Sequence, residues 1–270
     1  MIRISSVLIA FMIAQFLTAQ NFQGVVTYKT DRKMDLKLDS TKVSSDMQKQ
    51  IQEMMRKQFQ KEFTLRFNMA ESLYKEEESL GAPQPSGMKI VMIGGGETDQ
   101  LYKNIKEERF SSQRDMMGKT FLVKDKLNKL EWKLEDETKK IGNYTCFKAT
   151  ITRKVRNFVV SDEQEGEEHP EEREITITAW YTPEIQISNG PATYWGLPGL
   201  ILETNDGSQS ILCSKIVLNP KKKIEITEPT KGKVVSEEKF AKIMEQKMKE
   251  MDDHRSKRTD GNHMEFRIGG

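Results

Sequence analysis

Residues 200–218 read LILETNDGSQSILCSKIVL, two apolar runs on either side of Asn205-Asp206-Gly207. Asp-Gly between two such runs is a strong short-range signal for a β-hairpin. Further alternating or β-branched runs precede this hairpin at short intervals. They lie at 22–28, 63–67, 72–75, 100–104, 113–117, 120–123, 130–134, 144–153 and 175–181. The runs 63–67 and 72–75, with a possible turn at 68–71, also predict a hairpin. Short strands at this spacing predict an antiparallel sheet rather than βαβ units.

Two segments change from the strand period to the helical period. Between 39 and 62, apolar residues recur three or four positions apart, and Asp39, Ser40 or Thr41 is a suitable N-cap. Ser236 precedes the second segment, and 236–270 are expected to form a C-terminal helix and a flexible charged tail. The predicted fold class is therefore α+β, a mostly antiparallel β-sheet with two amphipathic helices.

Residues 1–20 have the order of a secretory signal. Arg3 is followed by the uncharged run 7–17 and then by the small residue Ala19. The apolar run is short for a membrane span, and no later stretch approaches the length of one. We expect a signal peptide at 1–19, export, and a periplasmic location, with the outer surface or the extracellular space as alternatives. A retained N-terminal anchor is the other interpretation.

Charge and composition limit the function. The 270 residues carry 43 Lys and Arg against 41 Asp and Glu, a balance that argues against a dedicated nucleic-acid binder. Carboxylates crowd the segment near 155–173, where charge density opposes ordering, so we interpret it as a solvated acidic loop. The remainder of 20–235 is expected to form a single β-rich domain.

The sequence offers little catalytic equipment. His169 lies in the acidic loop, and His254 and His263 lie in the C-terminal tail, without the apolar flanks of a buried base. No metal-ligand spacing occurs, and no cofactor is expected. Carboxylates are abundant, so a hydrolase that uses carboxylates alone stays open. It requires two acids about 5 to 9 Å apart in an apolar cleft.

The two cysteines, Cys146 and Cys213, fall in different predicted strands. In an oxidising compartment they could form one disulfide bond. Two buried thiols are the alternative, because the sequence does not give the distance between them.

Residues 189–202 read NGPATYWGLPGLIL and combine aromatic, aliphatic and turn-forming residues without a charge. In Leu197-Pro198-Gly199-Leu200, proline fixes φ at the second position and glycine permits a positive φ at the third, as a type II turn requires. Any residue with a Cβ at Gly199 should strain this turn.

The same segment resembles a known family. Gly196, Leu197, Pro198, Gly199, Leu200 and Ile201 spell the signature of the GLPGLI family, secreted Gram-negative bacterial proteins without an assigned activity. Segments 118–123, 132–134, 138–149 and 179–185 also resemble that family in order, so the similarity extends from Gln23 to Leu218. The family is distantly similar to a bowl-like β domain attached to a secreted peptide-N-glycosidase. The resemblance therefore implies that the sheet is curved, as a bowl or half-barrel, and offers no catalytic residue.

These observations favour a non-catalytic exported envelope protein that binds an apolar ligand or another envelope protein. The candidate contacts are the aromatic residues Trp132, Trp180, Tyr181, Tyr194 and Trp195. Core packing is the alternative for each ring. A cavity lined by several rings would favour a ligand, and a filled sheet face would exclude one. The alternatives are a carboxylate-dependent hydrolase or an accessory domain of one, and a module that uses the acidic loop as an electrostatic tether.

Overall fold

The computed structural model describes residues 22–32, 53, 60–77, 98–157 and 171–256. These ranges contain twelve strands and one helix. The strands are β1 (Gln23–Arg32), β2 (Glu62–Asn68), β3 (Glu71–Glu76), β4 (Thr98–Asn104), β5 (Arg109–Met116), β6 (Lys119–Lys126), β7 (Lys133–Ile141), β8 (Tyr144–Asn157), β9 (Glu171–Thr182), β10 (Leu200–Asn205), β11 (Gln209–Leu218) and β12 (Lys233–Val235). The helix is α1 (Glu237–Ser256).

The twelve strands form one mixed sheet in the order β12-β6-β5-β4-β3-β2-β1-β11-β10-β9-β8-β7. Strands β2 to β6 pair antiparallel in chain order, and so do β7 to β11. Strand β12 instead pairs in parallel with β6. The predicted hairpins β2–β3 and β10–β11 are confirmed by their registers.

The predicted α+β class with two helices is wrong, because the described residues are nearly all β with one helix. The strand content exceeds the prediction because charged stretches, above all β7, were not recognised as strands. Pairing with neighbouring strands holds these stretches in the sheet. In the helix predicted for 39–62, Glu53 is helical and Glu62 is already the first residue of β2, whereas 39–52 and 54–59 lie outside the described residues.

Several further predictions fall partly or wholly outside the described residues. They are the signal peptide at 1–19, the tail from 257 to 270, and the centre of the acidic loop at 158–170. Strand β8 extends to Asn157 and β9 begins at Glu171, so the described ends of that loop are strand. Within the described ranges, no helix combines the length and the apolar content needed to cross a membrane.

The described residues fall into two compact units. The first unit takes in 22–28, 61–77, 98–128 and 214–256, and the second takes in 29–32, 53, 60, 129–157 and 171–213. This division does not decide whether 20–235 fold as one domain, which stays a prediction.

In the first unit, helix α1 packs its N-terminal half on the sheet. Phe240 is buried with Phe121, Val123 and Val235. The Ser236 hydroxyl accepts a hydrogen bond from the Lys239 amide, which confirms the predicted N-cap. The Arg114 guanidinium donates two hydrogen bonds of 2.9 Å to the Glu237 carboxylate, so an ion pair also fixes the first turn.

Candidate functional site

In the second unit, the uncharged segment before β10 lies along the first residues of that strand. The Leu200 amide donates to the Ile185 carbonyl and the Ile201 amide donates to the Asn189 carbonyl, each at 3.0 Å. At Gly190, an added Cβ would lie 2.7 Å from the Cβ of Ile201. Glycine is therefore required there by a close approach of two chain segments.

Residues Gly196–Ile201 are called the motif below. The turn inside it differs from the predicted type II turn. The Gly199 amide donates to the Leu197 carbonyl at 2.8 Å, which closes a three-residue γ-turn around Pro198. The Leu200 amide, which a type II turn would direct to Leu197, is bound to Ile185 instead. The type II prediction is wrong, because the Leu200 amide is hydrogen-bonded to the more distant Ile185 instead of to Leu197.

Gly199 is nevertheless a position where a side chain cannot fit. An added Cβ would lie 2.2 Å from the carbonyl oxygen of Thr182 and 2.6 Å from its carbonyl carbon. Both atoms belong to the backbone of β9, so they cannot rotate away as a side chain would. Steric contact with a neighbouring strand therefore excludes a side chain at this position.

A packed cluster lies beneath this motif. Ala149, Ala179, Tyr181, Leu197 and Ile201 are 0–7% exposed. Ala149 is opposite Ala179 and Ile201 is opposite Tyr181, and opposite residues in antiparallel strands share one face. The two alanines leave room above the sheet for Leu197, which joins the motif to the core.

Three partly buried rings pack against this cluster, and we call them the aromatic rim: Trp132, Phe147 and Tyr194. The Trp132 indole N–H donates to the Trp195 carbonyl at 2.8 Å. The ring centroids of Trp132 and Tyr194 are 6.3 Å apart, and the Arg153 guanidinium carbon lies 5.8 Å from the Tyr194 centroid. Burial raises the pKa of Tyr194. The rim is thus held in place by packing, a hydrogen bond and a cation–π contact.

Leu134 adds apolar surface on the same face. It is opposite Ala149 in the β7–β8 pair, so its side chain points to the face of the cluster. With 55% of its surface exposed, it is a large apolar residue in contact with solvent.

Trp180 lies on the other face of β9, because successive strand residues alternate. The Lys139 ammonium lies 4.4 Å from its ring centroid and 2.7 Å from the Glu203 carboxylate. Trp180 is opposite Glu203, which is in turn opposite Leu212. This polar face is a separate surface from the aromatic rim.

The structure therefore brings together only part of the predicted contact set. Trp132 and Tyr194 meet in the aromatic rim, and Tyr181 and Trp195 are each 7% exposed, so core packing accounts for them. Phe147 and Arg153 were missed. Phe147 and Ala149 are two residues apart in β8 and therefore share one face, which the sequence alone already indicates. Nothing local links Arg153 to Tyr194.

No disulfide bond joins Cys146 and Cys213. The Cys146 side chain is buried, and burial raises the pKa of its thiol to about 11. A thiol that stays protonated at neutral pH is a weak nucleophile.

The carboxyl groups with shifted pKa values are stabilised in their charged form. Partial burial raises the pKa of Glu228, but hydrogen bonds from Ser111, Lys124 and Arg109 outweigh it and lower that pKa to about 2. Hydrogen bonds from Thr150 and Lys148 lower the pKa of Glu135. A catalytic acid needs the opposite shift.

His254 lies in α1, and the other two histidines lie outside the described residues. Within the described part of the chain, no group of three or more His, Cys, Asp or Glu is arranged to hold a metal ion.

The described chain is thus nearly all β, and its aromatic rim packs against the buried cluster beneath the motif. Residues 132–203, which hold both features, match the model of Porph_ging, a family described as a protein of unknown function. A search of curated proteins finds no match.

Among solved structures, two of PNGF-II, in the C2 and P21 space groups, are similar to this chain. Their identities are 16% and 18%, and their TM-scores are 0.47 and 0.46. The similar region covers 83% of this chain and 33% of each PNGF-II chain, so this chain spans about a third of their length.

Proposed function

We propose that this chain is a non-catalytic exported protein of the GLPGLI type that binds another envelope protein through the aromatic rim. One observation carries the proposal: Trp132, Phe147 and Tyr194, from three separate segments, converge as partly exposed rings on one packed cluster.

Rings held in this way are suited to protein recognition. Aromatic residues give most binding energy when they are already fixed, because little side-chain entropy is then lost on association. The hydrogen bond from Trp132 to the Trp195 carbonyl and the contact of Arg153 with Tyr194 restrict two of the rings. Arginine and aromatic residues are also the types enriched in protein interfaces.

A protein partner fits this geometry better than an enclosed apolar ligand. Tyr181 and Trp195 offer almost no surface, because each is 7% exposed. What is accessible is the edge of the cluster, with Leu134 beside it. An open apolar surface of this kind is typical of protein contact, whereas small ligands are mostly enclosed.

The compartment is part of the same proposal. The charge and apolar pattern of 1–19 and the signature at Gly196–Ile201 both favour export, with the periplasm as the location. N-terminal sequencing of the mature protein from the cell envelope tests this, and the expected first residue is Gln20. A mature chain that begins at Met1 in the cytosol would contradict it.

Site-specific photo-crosslinking tests the binding surface. A photoreactive amino acid replaces Leu134 in one variant and Leu212 in the other. Both leucines are exposed, 55% and 44%, but Leu212 is opposite Glu203 and faces the Trp180 side. In cells that export the protein, we expect a discrete protein adduct from position 134 and none from 212. Trp132→Ala should remove that adduct.

Equal adducts from both positions, or adducts from 212 alone, would contradict the aromatic rim as the binding surface. Lipid labelling at 134 without a protein adduct would show that an apolar ligand, rather than a protein, is bound there.

A further inference from the structure

Strand β7 is the outermost strand at one end of the described sheet. Such an edge presents backbone N–H and C=O groups to which another strand can add. Its sequence, KLEDETKKI, has acids in the first half and lysines in the second. If two copies of β7 pair antiparallel about the bond between Glu137 and Thr138, Glu135 is opposite Lys140 and Asp136 is opposite Lys139. A regular β7 would therefore be complementary to itself.

The observed strand is not regular. The register passes from Leu134 opposite Ala149 to Thr138 opposite Phe147, so three residues of β7 face Lys148 alone. Residues 135–137 therefore bulge out of the ladder. A bulge interrupts the even spacing of backbone groups that an added strand needs.

Contacts to β8 hold this bulge in place. The Thr150 hydroxyl donates to Glu135 at 2.7 Å, and the Lys148 ammonium lies 3.1 Å from Glu135 and 2.7 Å from Glu137. The Lys148 and Glu135 side chains are only 22% and 24% exposed, so solvent screens their pairing less than it would at the surface. Glu135, one of the two acids that would face a second copy, is therefore directed back to its own sheet.

We propose that the Glu135–Glu137 bulge, fixed by Lys148 and Thr150, keeps the edge of the sheet from pairing with β7 of a second copy. The bulge acts on the backbone edge, whereas the proposed partner contacts side chains of the aromatic rim. The two proposals are therefore independent and can fail separately.

Deletion of Asp136 and Glu137 tests this inference. It leaves Glu135 alone opposite Lys148 and makes the β7–β8 register continuous. The shortened strand is still complementary to itself, because a pair centred on Thr138 places Glu135 opposite Lys139 of the second copy. Analytical ultracentrifugation should show wild-type protein as a single chain and the deletion variant as a pair. Hydrogen exchange should show new protection of the backbone amides of β7 in the pair.

The double variant Lys148→Met/Thr150→Val keeps the chain length and removes the contacts that fix the bulge, so it gives the answer if the deletion variant does not fold. It should also pair. The matched control is Lys124→Met, which removes a lysine bound to Glu228 in the first unit and should stay a single chain. Either of two results would overturn the inference: a double variant that stays a single chain, or wild-type protein already paired through β7.

Discussion

The two units secure their irregular segments by different means. In the first unit, the segment between β11 and β12 is fixed by charge, since Glu228 accepts hydrogen bonds from Arg109, Ser111 and Lys124. In the second unit, the motif before β10 is fixed by backbone hydrogen bonds and by glycines that allow close approach. Charge pairs depend on pH and salt, whereas steric fit depends on neither. Changes of pH or salt should therefore destabilise the segment around Glu228, and added side-chain volume should destabilise the motif before β10.

Gly199→Ala should have the largest effect, because the new Cβ would meet the backbone of Thr182 at 2.2 Å. We expect the free energy of unfolding to fall by about 3 kcal/mol, as for overpacking that must move backbone. Urea denaturation measures it.

The matched control for that change is Gly207→Ala, at a turn in the same unit where φ is +93° and nothing lies within 4 Å of the added Cβ. Only the backbone torsion opposes the change there, at a cost of about 1 kcal/mol. Equal losses at both positions would show that close approach to β9 does not matter.

Glu228→Gln should have the next largest effect, because it removes the charge that Arg109 and Lys124 face. We expect the free energy of unfolding at neutral pH to fall by about 1–2 kcal/mol, the range for hydrogen bonds to a charged group that is partly exposed. Urea denaturation is again the measurement, and 1 M salt should shrink the difference. A loss that salt leaves unchanged would indicate packing rather than charge.

The effect of Glu228 should also depend on pH. Its pKa is lowered from 4.5 to about 2 in the folded protein. A lowered pKa stabilises the fold above the unfolded value, and that stabilisation is lost as the pH falls through the folded value. The difference between wild type and Glu228→Gln should therefore be constant above pH 5 and nearly absent at pH 2. A difference that grows on acidification would contradict the assignment.

Trp132→Phe should have the smallest effect on stability, because it keeps an aromatic ring and removes one neutral hydrogen bond to the Trp195 carbonyl. We expect a loss of about 1 kcal/mol with no dependence on salt or pH. Urea denaturation at low and high salt checks this. A strong salt dependence would mean that Arg153 and Tyr194, rather than the indole, hold the aromatic rim in place.

Local patterns predicted the hairpins well, because alternation and turn residues act between neighbours in the chain. Strand β7 was placed at 130–134 instead of Lys133–Ile141, since its charged residues resemble a solvated segment. Strand β12 was not predicted, because three residues become a strand only by pairing with β6. The turn at Leu197 was assigned the wrong type for a similar reason: its decisive contacts are with Ile185 and Thr182, which no local pattern reveals.

The candidate site was likewise predictable only where neighbouring residues decide its geometry. Alternation along β9 already separates Trp180 from Tyr181, so the five predicted aromatic residues could not all share one surface. The meeting of Trp132 with Tyr194 depends on how the motif folds back on β8 and β9. That arrangement follows from packing on the two alanines, Ala149 and Ala179. An alanine in a sequence does not by itself indicate which segment packs on it.

The most direct test of the aromatic rim is to measure the affinity of the crosslinked partner for two alanine variants by calorimetry. Trp132→Ala removes a ring of the aromatic rim, and Trp180→Ala removes a ring of the opposite face, with folding of both checked by circular dichroism. We expect Trp132→Ala to weaken binding by about tenfold or more, which corresponds to about 1.4 kcal/mol, and Trp180→Ala to leave the affinity nearly unchanged. Equal losses, or a loss with Trp180→Ala alone, would contradict it.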